Sequence, residues 1–145
     1  MLLILLGLIG YTLAMPGTRL GHVTFDAHTL LFASLAIVCG YQSILFAVFT
    51  KTFAVGEGLM PEDRYYKWFF RVANLERGII IAGGALLMGL TLLLAAVNEW
   101  RLADFGHLDY AKTMRLVVPG ITLTALGFQT ILSSFFVSIL GMRRR

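Results

Sequence analysis

Three long stretches of this chain contain no charged residue, and they limit its fold more than any other feature. Residues 29–50, 78–97 and 116–142 form blocks of 22, 20 and 27 mostly apolar residues. A helix needs about 20 such residues to cross a hydrocarbon core of ~30 Å, where every backbone polar group must be bonded within the protein. The sequence therefore predicts three transmembrane helices.

A fourth apolar block, Met1–Met15, is shorter and stops at Pro16 and Gly17. A secretory signal peptide is the alternative, but the block has neither a basic start nor an Ala-x-Ala cleavage pattern. We therefore expect a tilted first helix, or one whose beginning lies upstream of Met1. The predicted fold is a single all-α integral membrane domain, residues 1–145, with transmembrane helices at about 1–16, 29–50, 78–98 and 116–141.

The basic residues predict the orientation of these helices. The connection between the second and third blocks and the carboxyl-terminal tail together hold eight Lys and Arg, whereas the other two connections hold four. The positive-inside rule then places both termini in the cytoplasm, in a multi-pass protein of the inner membrane. The net charge of +4 is explained by topology and lipid contact, so no nucleic-acid partner is expected.

An amphipathic helix is predicted at about residues 61–76, between the second and third blocks. Pro61 suits a first helical position, and the following residues place aromatic and apolar side chains on one face and basic side chains on another. Such a helix lies in the membrane interface, on the cytoplasmic leaflet in this topology. A solvated loop helix with an aromatic belt is the alternative.

A short motif occurs twice, in the second and fourth blocks. Gly40-Tyr41-Gln42-Ser43-Ile44-Leu45 matches Gly127-Phe128-Gln129-Thr130-Ile131-Leu132. The glycines belong to lines of small residues that allow close helix contact, while the glutamines point about 200° away from them. We expect Gly40, Gln42, Gly127 and Gln129 to serve helix packing, with each glutamine bonding another helix. The repeat also suggests two hairpins in parallel orientation.

No ionisable residue lies deep in any block, which argues against proton-coupled transport. Asp26 and His28 invite a metal interpretation, but Asp26 also suits the N-cap of the second helix, as Asp109 suits that of the fourth. The only cysteine, Cys39, cannot form an internal disulfide. We expect no catalytic residue, metal or cofactor on this chain.

Several segments together resemble the C-terminal membrane region of bacterial family 2 glycosyltransferases, the group similar to polyprenyl-phosphate sugar synthases. The resemblance covers most of the chain from about residue 20. Its main segments are 25–31, 40–42, 53–61, 75–78, 115–119 and 127–136. In that family a soluble catalytic domain with an Asp-x-Asp metal motif precedes the membrane region. This chain has no such motif, so the resemblance implies a fragment, a split gene product or a stand-alone membrane subunit.

The resemblance implies a membrane module that anchors a glycosyltransferase and holds its polyprenyl-phosphate acceptor at the cytoplasmic leaflet. The catalytic domain or subunit would be its partner, together with membrane lipids, and homo-oligomers are left open. The residues expected to meet the lipid phosphate are Lys51, Arg64, Lys67, Arg71 and Arg77. Two alternatives remain: a small four-helix carrier or flippase of lipid-linked sugar, and a structural membrane subunit without a ligand.

Overall fold

The computed structural model describes residues 1–17, 19–20, 23–61, 64 and 75–141 of the 145-residue chain. Its fold is helical, which confirms the predicted all-α class. The helices are α1 (Leu2–Ala14), α2 (Ala27–Gly56), α3 (Leu75–Leu102) and α4 (Tyr110–Gly141). Between α1 and α2, the two-residue strands β1 (Arg19–Leu20) and β2 (Val23–Thr24) form an antiparallel pair.

Three of the helices are long and apolar enough to cross a membrane, as the uncharged blocks predict. These stretches are Ala27–Gly56, Glu76–Leu102 and Tyr110–Leu140. The apolar helix α1 is shorter, also as expected. Large apolar side chains such as Phe32, Ile80 and Leu94 are exposed along the long helices, which suits surfaces that face lipid.

The four helices are arranged in the order α1, α2, α4, α3. The backbone of α2 approaches α1 on one side and α4 on the other. Within the described part of the chain, the backbone of α3 approaches only that of α4. Two edges of this row are formed by the helix ends. The N-side is the edge at which α2 and α4 begin, and the C-side is the edge at which they end. The predicted interfacial helix at 61–76 lies mostly outside the described residues.

Helices α2 and α4 run in parallel at matched depth. The hydroxyl of Ser34 contacts that of Thr122, and the hydroxyl of Tyr41 contacts that of Thr130, at sequence separations of 88 and 89 residues. The two copies of the glycine motif are offset by 87 residues. The copies therefore lie side by side, as expected for two hairpins repeated in parallel orientation.

The N-side has its own small buried cluster, formed by Ala14, Leu30 and Val118 from three helices. Close by, α4 begins with a side-chain cap: the carboxylate of Asp109 accepts hydrogen bonds from the N–H groups of Ala111 and Lys112, at 3.0 and 3.3 Å. Asp109 thus fulfils the predicted capping role.

Candidate lipid-phosphate site and its supporting helix contacts

The net positive charge of the chain lies in the sequence segments next to the C-side ends of the helices. Eight basic and four acidic residues lie in the sequence segments that end, join or follow the helices at the C-side. The segments at the N-side hold four basic and four acidic residues. The C-side segments therefore account for the whole net charge of +4. An anionic lipid is attracted to such an edge at about 1 kcal/mol per basic residue near the surface.

Lys51 and Arg77 lie on the two flanks of α4 at this edge. Lys51 is half-buried near the end of α2, and Arg77 is exposed near the start of α3. Phe49 packs on Phe136, and a side chain on Gly78 would meet Ser134. These contacts place the two basic residues at nearly the same height, within about one helical turn along α4.

The remaining predicted phosphate-binding residues lie between those two helices in sequence. Arg64 is exposed. Lys67 and Arg71 fall outside the described residues. The structure thus brings Lys51 and Arg77 to one edge of the row.

Gly40 lies where α2 meets α1. A side chain added at Gly40 would come within 2.7 Å of the Ile4 side chain and 3.0 Å of its backbone nitrogen. The small residue Ala33, two turns earlier, lies against Gly7 and Gly10 of α1 in the same way. This line of small residues is what allows the two backbones to lie so close.

Gly127 has the corresponding position in the second hairpin. Its added side chain would lie 2.7 Å from both the Ala82 carbonyl and the Leu86 nitrogen of α3. Gly120 and Gly89 approach each other two turns away along the same contact. Each copy of the repeat therefore directs its glycine to the first helix of its own hairpin.

Among the described residues, no hydrogen bond joins either glutamine to another helix. Gln42 is exposed, and the buried Oε1 of Gln129 has no partner among the described residues. The neighbouring Tyr41 donates to Thr130 Oγ1 at 2.5 Å instead, because the Thr130 hydroxyl already donates to the Leu126 carbonyl. One hydrogen bond between α2 and α4 is thus made by hydroxyl groups of residues that directly precede Gln42 and directly follow Gln129.

A second hydroxyl contact joins three helices and was not predicted. Thr122 is buried and donates to the Val118 carbonyl at 2.7 Å. It must therefore accept from Tyr11 of α1 at 2.8 Å and from Ser34 of α2 at 2.6 Å. A hydroxyl has one proton and two lone pairs, so this group is fully bonded. Its sequence signal is weak, because isolated hydroxyl residues do not reveal which helices meet.

The described part of the chain has few side chains that could bind a metal ion or act as a nucleophile. No three His, Cys, Asp or Glu side chains there come close enough to hold a metal ion. Cys39 is exposed on α2.

One comparison with known proteins identifies a family. Residues 48–141 match the family model described as the glycosyltransferase family 2 C-terminal transmembrane region. The match covers the end of α2 and both helices of the second hairpin. Neither a curated protein nor a solved structure matches the chain.

Proposed function

Because the chain belongs to the glycosyltransferase family 2 C-terminal transmembrane region family, we propose that it holds a polyprenyl-phosphate acceptor beside a glycosyltransferase catalytic domain. The chain itself is a multi-pass membrane module. The proposal places the phosphate at the C-side of the row, and the C-side at the cytoplasmic leaflet of the inner membrane. The isoprenoid tail would lie along the exposed apolar helix surfaces.

The observation that supports this proposal is the pair formed by Lys51 and Arg77 at one height on either side of α4. A phosphate monoester at the membrane surface carries more negative charge than an ordinary phospholipid phosphate, and Arg donates to it through a planar fork. Arg64, Lys67 and Arg71 lie in the connection between α2 and α3, so they join the same site in the proposal. Attraction of anionic lipids and orientation of the helices are the competing explanation for these basic residues.

The test compares a C-side double variant with an N-side control. Lys51→Gln with Arg77→Gln should weaken retention of undecaprenyl phosphate, measured by native mass spectrometry, by about 2 kcal/mol or ~30-fold. Arg101→Gln with Lys112→Gln removes the same charge from the N-side, where Arg101 bonds Asn98 at 3.0 Å and Lys112 lies 3.7 Å from Glu99. This control should leave retention unchanged.

Retention of phosphatidylglycerol by the same variants distinguishes a specific acceptor site from general attraction of anionic lipids. If the C-side variant lowers retention of both lipids equally, the basic residues serve orientation and lipid attraction, and the acceptor site is refuted. A variant with Arg64, Lys67 and Arg71 changed to Gln tests whether the connection contributes. Co-purification with a soluble family 2 catalytic domain tests the partner, and its absence would remove that part of the proposal.

A carrier of lipid-linked sugar is the second candidate, favoured by the parallel contact of α2 with α4. Parallel repeats related by an axis along the membrane normal occur in transporters. Flux of a fluorescent lipid-linked sugar in proteoliposomes that contain only this chain would support a carrier. Retention of the lipid without flux would favour the anchoring role.

A further inference from the structure

Two oppositely charged side chains at the N-side have buried atoms without a partner. Among the described residues, Asp26 Oδ1 and Arg115 Nε are buried and accept or donate no hydrogen bond. They form no ion pair with each other either. Burying a polar atom of a charged side chain without a partner is costly, so two such atoms at similar height on neighbouring helices point to a ligand that bonds them.

Two observations place Asp26 and Arg115 at the same height. Leu30, one turn after Asp26, and Val118, one turn after Arg115, share the buried N-side cluster. Because α2 and α4 are parallel with an offset of 88 or 89 residues, position 26 is level with positions 114 and 115.

Asp26 is not used as a helix cap, although it occupies the N-cap position of α2. Its backbone is extended, with φ −126° and ψ −163°, but its side chain makes no capping hydrogen bond. Asp109 at the start of α4 does cap its helix. The carboxylate of Asp26 therefore retains acceptor capacity that a capping aspartate uses.

Arg115 is positioned by the loop that precedes β1. Gly17 has a φ of +67°, and a side chain there would collide with the Nη2 atom of Arg115. The absence of a side chain at Gly17 thus lets the guanidinium lie against the loop backbone. Held in this way, the half-buried guanidinium still has an unpaired Nε–H donor.

We propose that Arg115 and Asp26 together bind the headgroup of a phosphatidylethanolamine lipid. Arg115 donates to the phosphate, and Asp26 accepts from the ammonium group. Asp26 directly precedes α2 and Arg115 lies in the second turn of α4, near the depth of lipid headgroups. A choline headgroup has no N–H to donate to Asp26, and a glycerol headgroup brings no positive charge to it. The pair is therefore complementary to one class of zwitterionic headgroup.

The test measures lipid selectivity of the full chain. The protein is delipidated, returned to nanodiscs of defined composition and analysed by native mass spectrometry for retained phosphatidylethanolamine, phosphatidylcholine and phosphatidylglycerol. We expect phosphatidylethanolamine to be retained about tenfold over phosphatidylcholine. Asp26→Asn should abolish that preference and raise retention of phosphatidylglycerol. Arg115→Gln should lower retention of all three lipids.

The matched controls are Asp104→Asn and Arg101→Gln, which change exposed charges at the same edge. They should leave the lipid ranking unchanged. A ranking that is the same in Asp26→Asn as in the unmodified chain, with unchanged helix content by circular dichroism, overturns the proposal. Energetic coupling of Asp26→Asn with Arg115→Gln in lipid-free detergent also overturns it, since the two charges would then pair with each other.

Competition with a soluble headgroup provides the last test. Glycerophosphoethanolamine offers the same phosphate and ammonium groups without acyl chains. It should fail to displace the bound lipid at equal concentration. Displacement at equal concentration would assign the pair to a soluble ligand and overturn the lipid assignment. These outcomes are independent of the acceptor site, which lies at the opposite edge of the row.

Discussion

Phe49 and Phe136 are equivalent residues of the repeat, and their rings meet edge to face with centroids 4.8 Å apart. A contact between equivalent residues lies close to the pseudo-symmetry axis that relates the two hairpins. The contact also joins the hairpins near the C-side, close to Lys51. It therefore fixes the spacing of α2 and α4 beside Lys51, one of the residues of the proposed phosphate site.

Removing either ring of this pair should loosen the contact between the hairpins. We expect Phe49→Leu and Phe136→Leu to be coupled by about 0.5–1.5 kcal/mol in a double-mutant cycle of unfolding in mixed detergent micelles. Phe46→Leu is the matched control, since Phe46 is on the same helix and 69% exposed. Additive effects of the two substitutions would contradict an energetic role for the ring contact.

Adding one methyl group at Gly127 should separate α3 from α4. The added atom meets backbone atoms of Ala82 and Leu86, which cannot turn aside, so Gly127→Ala should lower the free energy of unfolding by about 1–3 kcal/mol. Gly84→Ala serves as the control, because nothing lies within 4 Å of its added methyl group. Equal stability of the two variants in thermal unfolding would refute the close contact.

Removing the Thr122 hydroxyl should cost more than the loss of one hydrogen bond. Thr122→Val leaves the hydroxyls of Tyr11 and Ser34 without their acceptor, so we expect a loss of about 1–3 kcal/mol in the free energy of unfolding. Thr122→Ser should restore most of it. Thr91→Val, which removes an exposed hydroxyl bonded within its own helix, should be nearly neutral.

Replacing Gln129 should stabilise the chain. Its buried Oε1 has no partner among the described residues, so Gln129→Leu removes a desolvation cost and should raise the free energy of unfolding by about 1 kcal/mol. The same change at exposed Gln42 should have little effect. A marked loss of stability in Gln129→Leu would show that the amide has a bonding partner in the folded protein.

The sequence predicts the helices well because few structures other than a long apolar helix can cross a membrane. Uncharged length identifies the three long helices, and the small-residue spacing points to Gly40 and Gly127 as close-contact positions. The helix ends are less accessible, since α2 continues from the apolar block through Lys51 to Gly56. Hydropathy marks the part of a helix in hydrocarbon, whereas the helix continues until a turn residue ends it.

The order of the helices and the polar contacts between them are much harder to predict. Lines of small residues occur on α2, α3 and α4, so spacing alone does not pair them. Gln42 and Gln129 have the strongest hydrogen-bonding groups in the blocks, yet the neighbouring hydroxyls of Tyr41 and Thr130 make a hydrogen bond between α2 and α4. The unpartnered Nε–H of Arg115 also cannot be read from the sequence, because its environment depends on Gly17, which is far away along the chain.

The arrangement in a row has a thermodynamic consequence. A closed bundle shares one core, so weakening any contact loosens every helix. Among the described elements α3 contacts only α4, while Thr122 bonds residues of α1 and α2 on the other side of α4. Gly127 and Thr122 lie on different faces of α4 and share no contact partner among the described residues, so losses at the two residues should add nearly independently. On heating, the least stable contact between neighbouring helices should therefore determine the temperature at which the helices first separate.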